Sequence, residues 1–129
     1  MIRSHQKNYG SEHIHFKCLD IVDDELPDGD LCVIRQVLQH LSNDDVSRVL
    51  AKLKKYKYVI ITNSQTPKAQ AYSYNADIRT GHHIRTGILS GLYLDEPPFS
   101  LKTELLLNIP EKRSKDRIEV ELVTELIRN

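Results

Sequence analysis

Two short apolar runs with a helical pattern between them constrain the fold of this chain more than any other feature. Residues 31–35 and residues 58–62 have the length and the continuous apolar character of strands that are buried on both faces. Between them, apolar residues recur at i, i+3, i+4 and i+7 from Val46, which is the spacing of one helix face. A strand, a crossover helix and a second strand form the unit of a parallel sheet, so the sequence predicts an α/β fold.

The start of the helix between these runs is marked by Ser42. Serine is a favoured N-cap residue, and Asp45 stands three residues later, in the reciprocal position of a capping box. Acidic residues in the first turn suit the positive end of the helix dipole, and Lys52 and Lys54 lie near the negative end. We therefore predict a helix that begins after Ser42.

The region before the first apolar run contains a further strand pattern. Residues 1–12 are polar and are expected to form the end of a helix. Residues 13–19 alternate and then turn apolar, which predicts a strand that ends at Asp20. Residues 23–30 combine several carboxylates with a proline and a glycine, so we expect a solvated loop there.

The second half of the chain combines a long connection with a hairpin pattern. Residues 63–100 contain repeated glycine and proline and no helical stripe. A connection of this length is usually a functional loop or a disordered one. Residues 103–109 and 117–127 each follow a strand pattern, and the polar residues 110–116 between them predict the turn of an antiparallel pair.

Composition limits the partners and the location that we expect. With 18 basic and 18 acidic side chains in 129 residues, the formal net charge is zero, so no overall field draws the chain to nucleic acid or to a membrane. The length fits one domain, residues 1–129. Cys18 and Cys32 lie in apolar runs without metal or disulfide spacing, which favours buried free thiols in a reducing cytoplasm. No stretch has the pattern of a signal peptide or of a membrane span.

Four segments of the chain resemble the later half of class I S-adenosylmethionine-dependent methyltransferases. The most specific is RQVLQHLS at residues 35–42, which is similar to the family pattern Arg-x-Val-Leu-x-His-Leu after the fourth strand. The other segments are residues 18–21, 26–31 and 58–63. The resemblance implies a partial Rossmann-like sheet of mostly parallel strands that ends in an antiparallel hairpin of the sixth and seventh strands.

The resemblance also implies which residues face the cofactor and the substrate. Asp20 corresponds to the acid near the adenine amino group, and Ile21 packs against the ring. Arg35 and Gln36 lie beside the methionine end of S-adenosylmethionine, and His40 corresponds to a structural histidine. The residues that correspond to the variable loop, where a small-molecule acceptor is bound, include Asn75, Asp77 and Arg85.

The chain departs from the family at the glycine-rich turn after the first strand, which permits close approach to the cofactor. Gly10 is the only glycine before Gly29, so the family's first and second strands and this turn are expected to be absent. In the family's strand order, 3-2-1-4-5-7-6, their loss separates residues 13–19 from residues 31–35. The first segment then leaves the sheet, pairs directly with the second, or finds its neighbours on another chain, as in a homodimer formed through the exposed sheet edge.

Each candidate site residue has an ordinary structural interpretation as well. Asp20 also fits a simple loop acid at a strand end, and the acidic residues 23–25 fit a solvated surface. His13 and His15 lie on one face of the expected strand, but no further ligand follows at suitable spacing, so we predict no metal site. His82 and its neighbours fit either a cationic substrate pocket or an exposed polar loop.

Three functions are compatible with the sequence. The first is transfer of a methyl group from S-adenosylmethionine to a small acceptor, in which the protein mainly positions the reactants. The second is an inactive, truncated piece of such an enzyme. The third is a non-catalytic partner that completes another methyltransferase through its exposed sheet edge.

Overall fold

The computed structural model describes residues 2–112 and 119–129 and has an α/β architecture with one open, mixed sheet of four strands. The described residues form two α-helices, four strands and three short 3-10 turns. In chain order these elements are α1 (Ile2–Tyr9), β1 (Leu31–Arg35), a 3-10 turn (Leu38–His40), α2 (Asn43–Leu53), β2 (Tyr58–Gln65), 3-10 turns at Lys68–Gln70 and Arg85–Ile88, β3 (Glu104–Lys112) and β4 (Glu119–Arg128).

The strands lie in the order β1-β2-β4-β3. β1 and β2 are parallel, whereas β4 is antiparallel to both β2 and β3. The predicted crossover through α2 and the predicted antiparallel pair near the end of the chain are therefore confirmed. The expectation of a mostly parallel sheet is wrong, because the hairpin contributes two of the pairings and no third parallel strand is present among the described residues.

The strand predicted for residues 13–19 does not form in this structure. Side chains bind its backbone instead: Ser11 Oγ accepts hydrogen bonds from the N–H groups of His13 and Ile14, and Gln6 Oε1 accepts one from Phe16. Such local bonds compete with a strand ladder. Of the three alternatives for residues 13–19, the structure shows the first, in which the segment leaves the sheet. Cys18, expected to be buried, is exposed as a result.

The predicted start of α2 is confirmed, and Thr80 takes part in the cap together with Ser42 and Asp45. Ser42 Oγ accepts a hydrogen bond of 3.2 Å from the Asp45 N–H, as an N-cap does. Asp45 does not return a bond to the Ser42 N–H. Thr80 bridges the two, because its hydroxyl oxygen accepts from the Ser42 N–H at 2.8 Å and donates to Asp45 Oδ2 at 2.6 Å. The loop after β2 is thereby fixed to the first turn of the helix.

The hydrophobic core lies between α2 and one face of the sheet. Val46, Val49 and Leu53 of the helix are buried and belong to one cluster with Val59 and Ile61 of β2. At about 25 cal/mol per Å² of apolar surface, burial of this kind is the main stabilising contribution of the helix. The helix therefore covers the parallel pair on this face.

The other face of the sheet, here called the open face, carries both apolar and polar side chains. The pairing register places one set of aliphatic and aromatic side chains on it. Of the two α-helices described, α2 packs on the opposite face, and α1 buries no residue. Leu31 and Val33 are 50% and 62% exposed, so the expectation that β1 is covered on both faces is wrong. The apolar side chains of the open face include Leu31, Val33, Tyr58, Ile60, Leu107, Ile109, Leu122 and Leu126, and its polar side chains include Arg35, Thr62, Thr124, Arg128 and Glu104.

The predicted hairpin differs from expectation in where its strands end. β3 continues to Lys112, so Pro110 belongs to the strand and not to the turn predicted for residues 110–116. Proline is accepted there because β3 is an edge strand. Residues 113–116 of the predicted turn and residues 117–118 of the predicted second strand lie outside the described residues.

Candidate functional site

The carboxyl ends of β1 and β2 lie side by side, as the parallel pairing requires. At the end of β1, Gln36 has a φ of 54°, a left-handed conformation that is uncommon for a residue other than glycine. Its N–H donates a hydrogen bond of 2.7 Å to the Thr62 carbonyl, and its side-chain amide lies 3.4 Å from Ser64 Oγ. Arg35 precedes it and is exposed. Strained backbone of this kind concentrates at functional sites.

Gln39 fixes the end of β2 to the turn that follows β1. Its side chain is 6% exposed, and Oε1 accepts a hydrogen bond of 2.6 Å from the Ser64 N–H. The backbone carbonyl of Gln39 in turn accepts from Arg85 Nη1. Sequence analysis did not identify this residue, because a glutamine in a polar turn carries no distinctive pattern.

Three buried polar atoms in this region have no hydrogen-bond partner among the described residues. They are His40 Nδ1, Asn63 Oδ1 and Thr66 Oγ1. Asn63 and Thr66 are 2% and 1% exposed, and they lie near the carboxyl end of β2. Buried polar groups are normally paired, so these unpaired atoms make the carboxyl end of β2 a candidate position for a polar ligand.

Asp20 forms a turn by capping its own backbone. Oδ1 accepts hydrogen bonds from the N–H groups of Val22 at 2.8 Å and Asp23 at 3.2 Å, and the Asp20 N–H donates to Asp24 Oδ2. Oδ2 of Asp20 makes no hydrogen bond among the described residues, and the side chain is exposed. Ile21 is half-buried against the core. None of the hydrogen bonds of Asp20 reaches Arg35 or Gln36.

Basic residues on α2 and just after it hold this acidic loop in place. Lys52 Nζ donates to the carbonyls of Ile21, Val22 and Asp24. Arg48 forms an ion pair of 2.7 Å with Asp23, and Lys55 contacts the end of the loop at Asp28. The two ion pairs are exposed and contribute little. The three carbonyl contacts of Lys52 attach the turn that contains Asp20 and Ile21 to the helix.

The three residues predicted to bind substrate are brought together around Asn43, the first residue of α2. The Asn43 side-chain amide donates to the Asn75 carbonyl at 2.8 Å, and its backbone N–H donates to Asp77 Oδ1 at 2.9 Å. Arg85 Nη2 donates to Asn43 Oδ1 at 2.7 Å. Sequence analysis placed these three residues in one loop but did not identify Asn43, the residue that they share as a hydrogen-bond partner.

Arg85 is a buried cation whose hydrogen bonds go to three backbone carbonyls and one side-chain amide oxygen. Its side chain is 2% exposed, and it donates to the carbonyls of Ala76, Gln39 and Leu41 in addition to Asn43. Burial lowers its pKa to about 10, and the nearby Asp77 opposes that shift. The guanidinium is therefore still charged at neutral pH. Its planar array of donors matches several carbonyls at once.

Asn75 performs a similar function for the later part of the loop. The residue is 5% exposed, with a φ of 51°. Its amide nitrogen donates to the carbonyls of Tyr93, Glu96 and Pro97, and Oδ1 accepts from the Tyr93 N–H at 2.7 Å. Both polar atoms of this side chain are thus used within the protein. Of the three predicted substrate-binding residues, Asp77 is the one with an exposed carboxylate and an unpaired Oδ2 among the described residues.

A second, polar cleft lies between the loop after β2 and strands β3 and β4. Lys68 lines it and pairs with Asp95 at 2.7 Å and Glu96 at 3.0 Å. Across the cleft, Glu125 accepts a hydrogen bond of 2.9 Å from Thr103, and burial raises the pKa of its carboxyl. Tyr93 lies at the inner side, where burial raises its pKa to about 12. Sequence analysis did not identify this cleft, because its lining comes from segments far apart in the chain.

The described residues contain no evident metal centre. Within residues 2–112 and 119–129, no three His, Cys, Asp or Glu side chains come together in a way that would hold a metal ion. The rings of His82 and His83 are 3.9 Å apart, and both side chains are exposed. Over the same residues, no helix combines the length and the apolar character needed to cross a membrane.

No protein-family model, curated protein or solved structure matches the chain.

Proposed function

We propose that this chain is the later half of a methyltransferase-like domain that uses S-adenosylmethionine to methylate a small-molecule acceptor. The observation that carries the proposal is the strand order β1-β2-β4-β3, with a parallel first pair and an antiparallel β4 between β2 and β3. The resemblance seen in the sequence implies this order for the family's fourth, fifth, seventh and sixth strands. The carboxyl ends of β1 and β2 are then where a ligand binds.

The residues present fit part of the cofactor. Asp20 has a free carboxylate oxygen that could accept a hydrogen bond from the adenine amino group, and Ile21 offers an apolar surface beside it. Arg35 and the side-chain amide of Gln36 supply donors for the methionine carboxylate. S-Adenosylmethionine, when bound, supplies a methyl group on a sulfonium, so the chain's contribution is positioning. The segment before β1 contains only Gly10 and Gly29, so it offers no glycine-rich turn for the rest of the cofactor.

The acceptor side of the site belongs to the loop after β2. We assign contact with the acceptor to Asp77, whose second carboxylate oxygen is exposed. Asn75 and Arg85 shape the loop, because their polar atoms are already bonded within the protein. The free thiols of Cys18 and Cys32 suit a protein that works in the cytoplasm.

A titration monitored by amide NMR tests the cofactor proposal. We expect adenosine and S-adenosylhomocysteine to bind with a dissociation constant of about 1 mM, since half of the usual contacts are missing. The shifts should concentrate at residues 20–21 and 35–36, and inosine, which lacks the adenine amino group, should leave residues 20–21 unshifted. Asp20→Asn should weaken binding, whereas the exposed Asp44→Asn should not. Absence of shifts at these amides, or shifts elsewhere, would overturn the proposal.

A second candidate function is that of a non-catalytic partner which completes another methyltransferase. The observation that favours it is the free sheet edge at β1, where Leu31 and Val33 are exposed and no further strand is paired among the described residues. This function predicts that the chain, mixed with a methyltransferase fragment that carries the glycine-rich turn but lacks the later strands, raises cofactor binding by that fragment. Calorimetry of the mixture against each component measures the effect, and unchanged binding argues against it.

A further inference from the structure

The two edges of the sheet differ in their protection against pairing with another strand. β3, at one edge, contains Pro110 and a register shift between Leu105 and Leu107. Prolines and bulges are devices that prevent edge strands from pairing. β1, at the other edge, contains neither, and its exposed side chains Leu31 and Val33 are aliphatic. The β1 edge is therefore suited to accept a further strand.

The hydrogen bonds around β1 show which of its backbone groups are free. In a parallel pair, alternate residues direct both backbone groups toward the same neighbour. The Asp30 carbonyl accepts from the Tyr58 N–H at 3.0 Å, and the Gln36 N–H donates to the Thr62 carbonyl at 2.7 Å, so the even-numbered residues face β2. The residues whose N–H and C=O point away from β2 are Leu31, Val33 and Arg35.

The charges at the ends of this strand determine which orientation of a second copy is compatible. Asp30 immediately precedes β1, and Arg35 is its last residue; both side chains are exposed. Antiparallel pairing of two copies places the Arg35 end of each strand next to the Asp30 end of the other, with the two side chains on opposite faces of the sheet, whereas parallel pairing places ends of like charge together. Opposite charges favour a pairing and like charges disfavour it.

We propose that the chain pairs with a second copy of itself through β1, in antiparallel orientation, with the twofold axis at Val33. In this register Val33 lies opposite Val33 of the second copy and Leu31 lies opposite Arg35. The outward groups of these residues then form about six backbone hydrogen bonds, as in a regular antiparallel ladder. The two sheets become one continuous sheet. This inference does not depend on methyl transfer.

Light scattering after gel filtration tests the pairing. A five-residue strand forms a small interface, so we expect a dissociation constant of about 10–100 µM and a monomer–dimer equilibrium over that range. The buffer should contain a reducing agent, because Cys18 is exposed. A chain that stays monomeric at about 1 mM, well above this range, overturns the proposal.

Three variants test the register. Val33→Lys places like charges face to face at the axis, and Val33→Pro removes an outward N–H that the sheet does not use, so both should abolish the dimer. Leu107→Lys, on the protected β3 edge and similarly exposed, is the matched control and should leave it intact. Circular dichroism confirms that each variant folds. A dimer that survives Val33→Lys, or is lost equally in Leu107→Lys, contradicts pairing through β1.

A charge exchange provides an independent test of orientation. Arg35→Asp should weaken the dimer about tenfold, because it places like charges at both ends of the paired strands. The double variant Asp30→Arg with Arg35→Asp should restore it, since neighbouring strand ends again carry opposite charges. If the double variant is as weak as the single one, the antiparallel register is wrong.

Discussion

Arg85 donates a hydrogen bond of 2.7 Å from Nη2 to Oδ1 of Asn43, which joins the loop after β2 to the first residue of α2. The same guanidinium holds three backbone carbonyls. The loop that sequence analysis assigned to substrate is thereby ordered by a buried charge at its base. Its conformation depends on the start of the helix as much as on its own residues.

Arg85→Lys should lower the free energy of unfolding by about 2–3 kcal/mol, because a lysine ammonium keeps the charge but cannot reach four spread acceptors, which leaves buried carbonyls unpaired. Urea denaturation measures the change. Arg79→Lys, at an exposed position of the same loop, is the control and should change stability by less than about 0.5 kcal/mol. Equal stability of the two variants would show that the buried contacts contribute nothing.

Lys52→Met should loosen the turn that presents Asp20 and Ile21. The lysine donates to three carbonyls of that turn, and methionine preserves the apolar contact with the helix while removing those bonds. We expect the amides of residues 22–24 to exchange with deuterium about tenfold faster, as local opening becomes easier. Lys54→Met, at the C-cap of the same helix and without a bond to the loop, should leave their exchange unchanged.

Glu125→Gln should alter how stability depends on pH. Burial raises the pKa of Glu125 above its ordinary value of 4.5, so the folded protein retains that proton to higher pH than the unfolded chain does. The contribution of Glu125 to stability is thus complete below the unfolded pKa and is lost as the pH rises through the folded pKa.

The measurement is urea denaturation at several pH values from 4 to 8. Relative to the wild type, Glu125→Gln should gain stability as the pH rises, since the amide has no charge to bury. Glu12→Gln, exposed near the start of the chain, is the control for the loss of one carboxylate. If the free energy of unfolding changes with pH in the same way in the wild type and in Glu125→Gln, the pKa of Glu125 is not raised by folding.

Tyr93→Phe should cost about 1–2 kcal/mol of unfolding free energy. The Tyr93 hydroxyl donates to the Thr66 carbonyl in a buried position, and phenylalanine leaves that carbonyl without its donor. Tyr72→Phe is the matched control, since Tyr72 is 88% exposed. Thermal unfolding of both variants provides the comparison, and equal midpoints would show that the hydroxyl bond is not stabilising.

Local pattern was enough to predict most of the regular elements. The apolar runs predicted β1 and β2, and the helical spacing from Val46 with its N-cap Ser42 predicted α2. These signals are strong because side-chain periodicity and capping are properties of neighbouring residues. Residues 13–19 show where the same reasoning failed. Their alternation was compatible with a strand, but Ser11 and Gln6 bind the backbone groups that a ladder would need.

The candidate site depended more on the tertiary structure. The sequence identified residues at the carboxyl ends of the strands, because a parallel sheet fixes where those ends lie. It could not show that Gln39 and Asn43 bridge distant segments, since their partners Ser64 and Arg85 lie far along the chain. The assignments of cofactor-binding and substrate-binding residues are predictions that the binding experiments above test.

The sequence by itself determined the α/β alternation, the capped helix and the antiparallel strands near the end of the chain, because these follow from the periodicity of apolar residues within short windows. Only the tertiary structure decided which face of the sheet α2 covers, that β1 forms a free edge, and that Arg85 is buried. Those properties arise from contacts between residues far apart in sequence, where burial and hydrogen bonding override local preference.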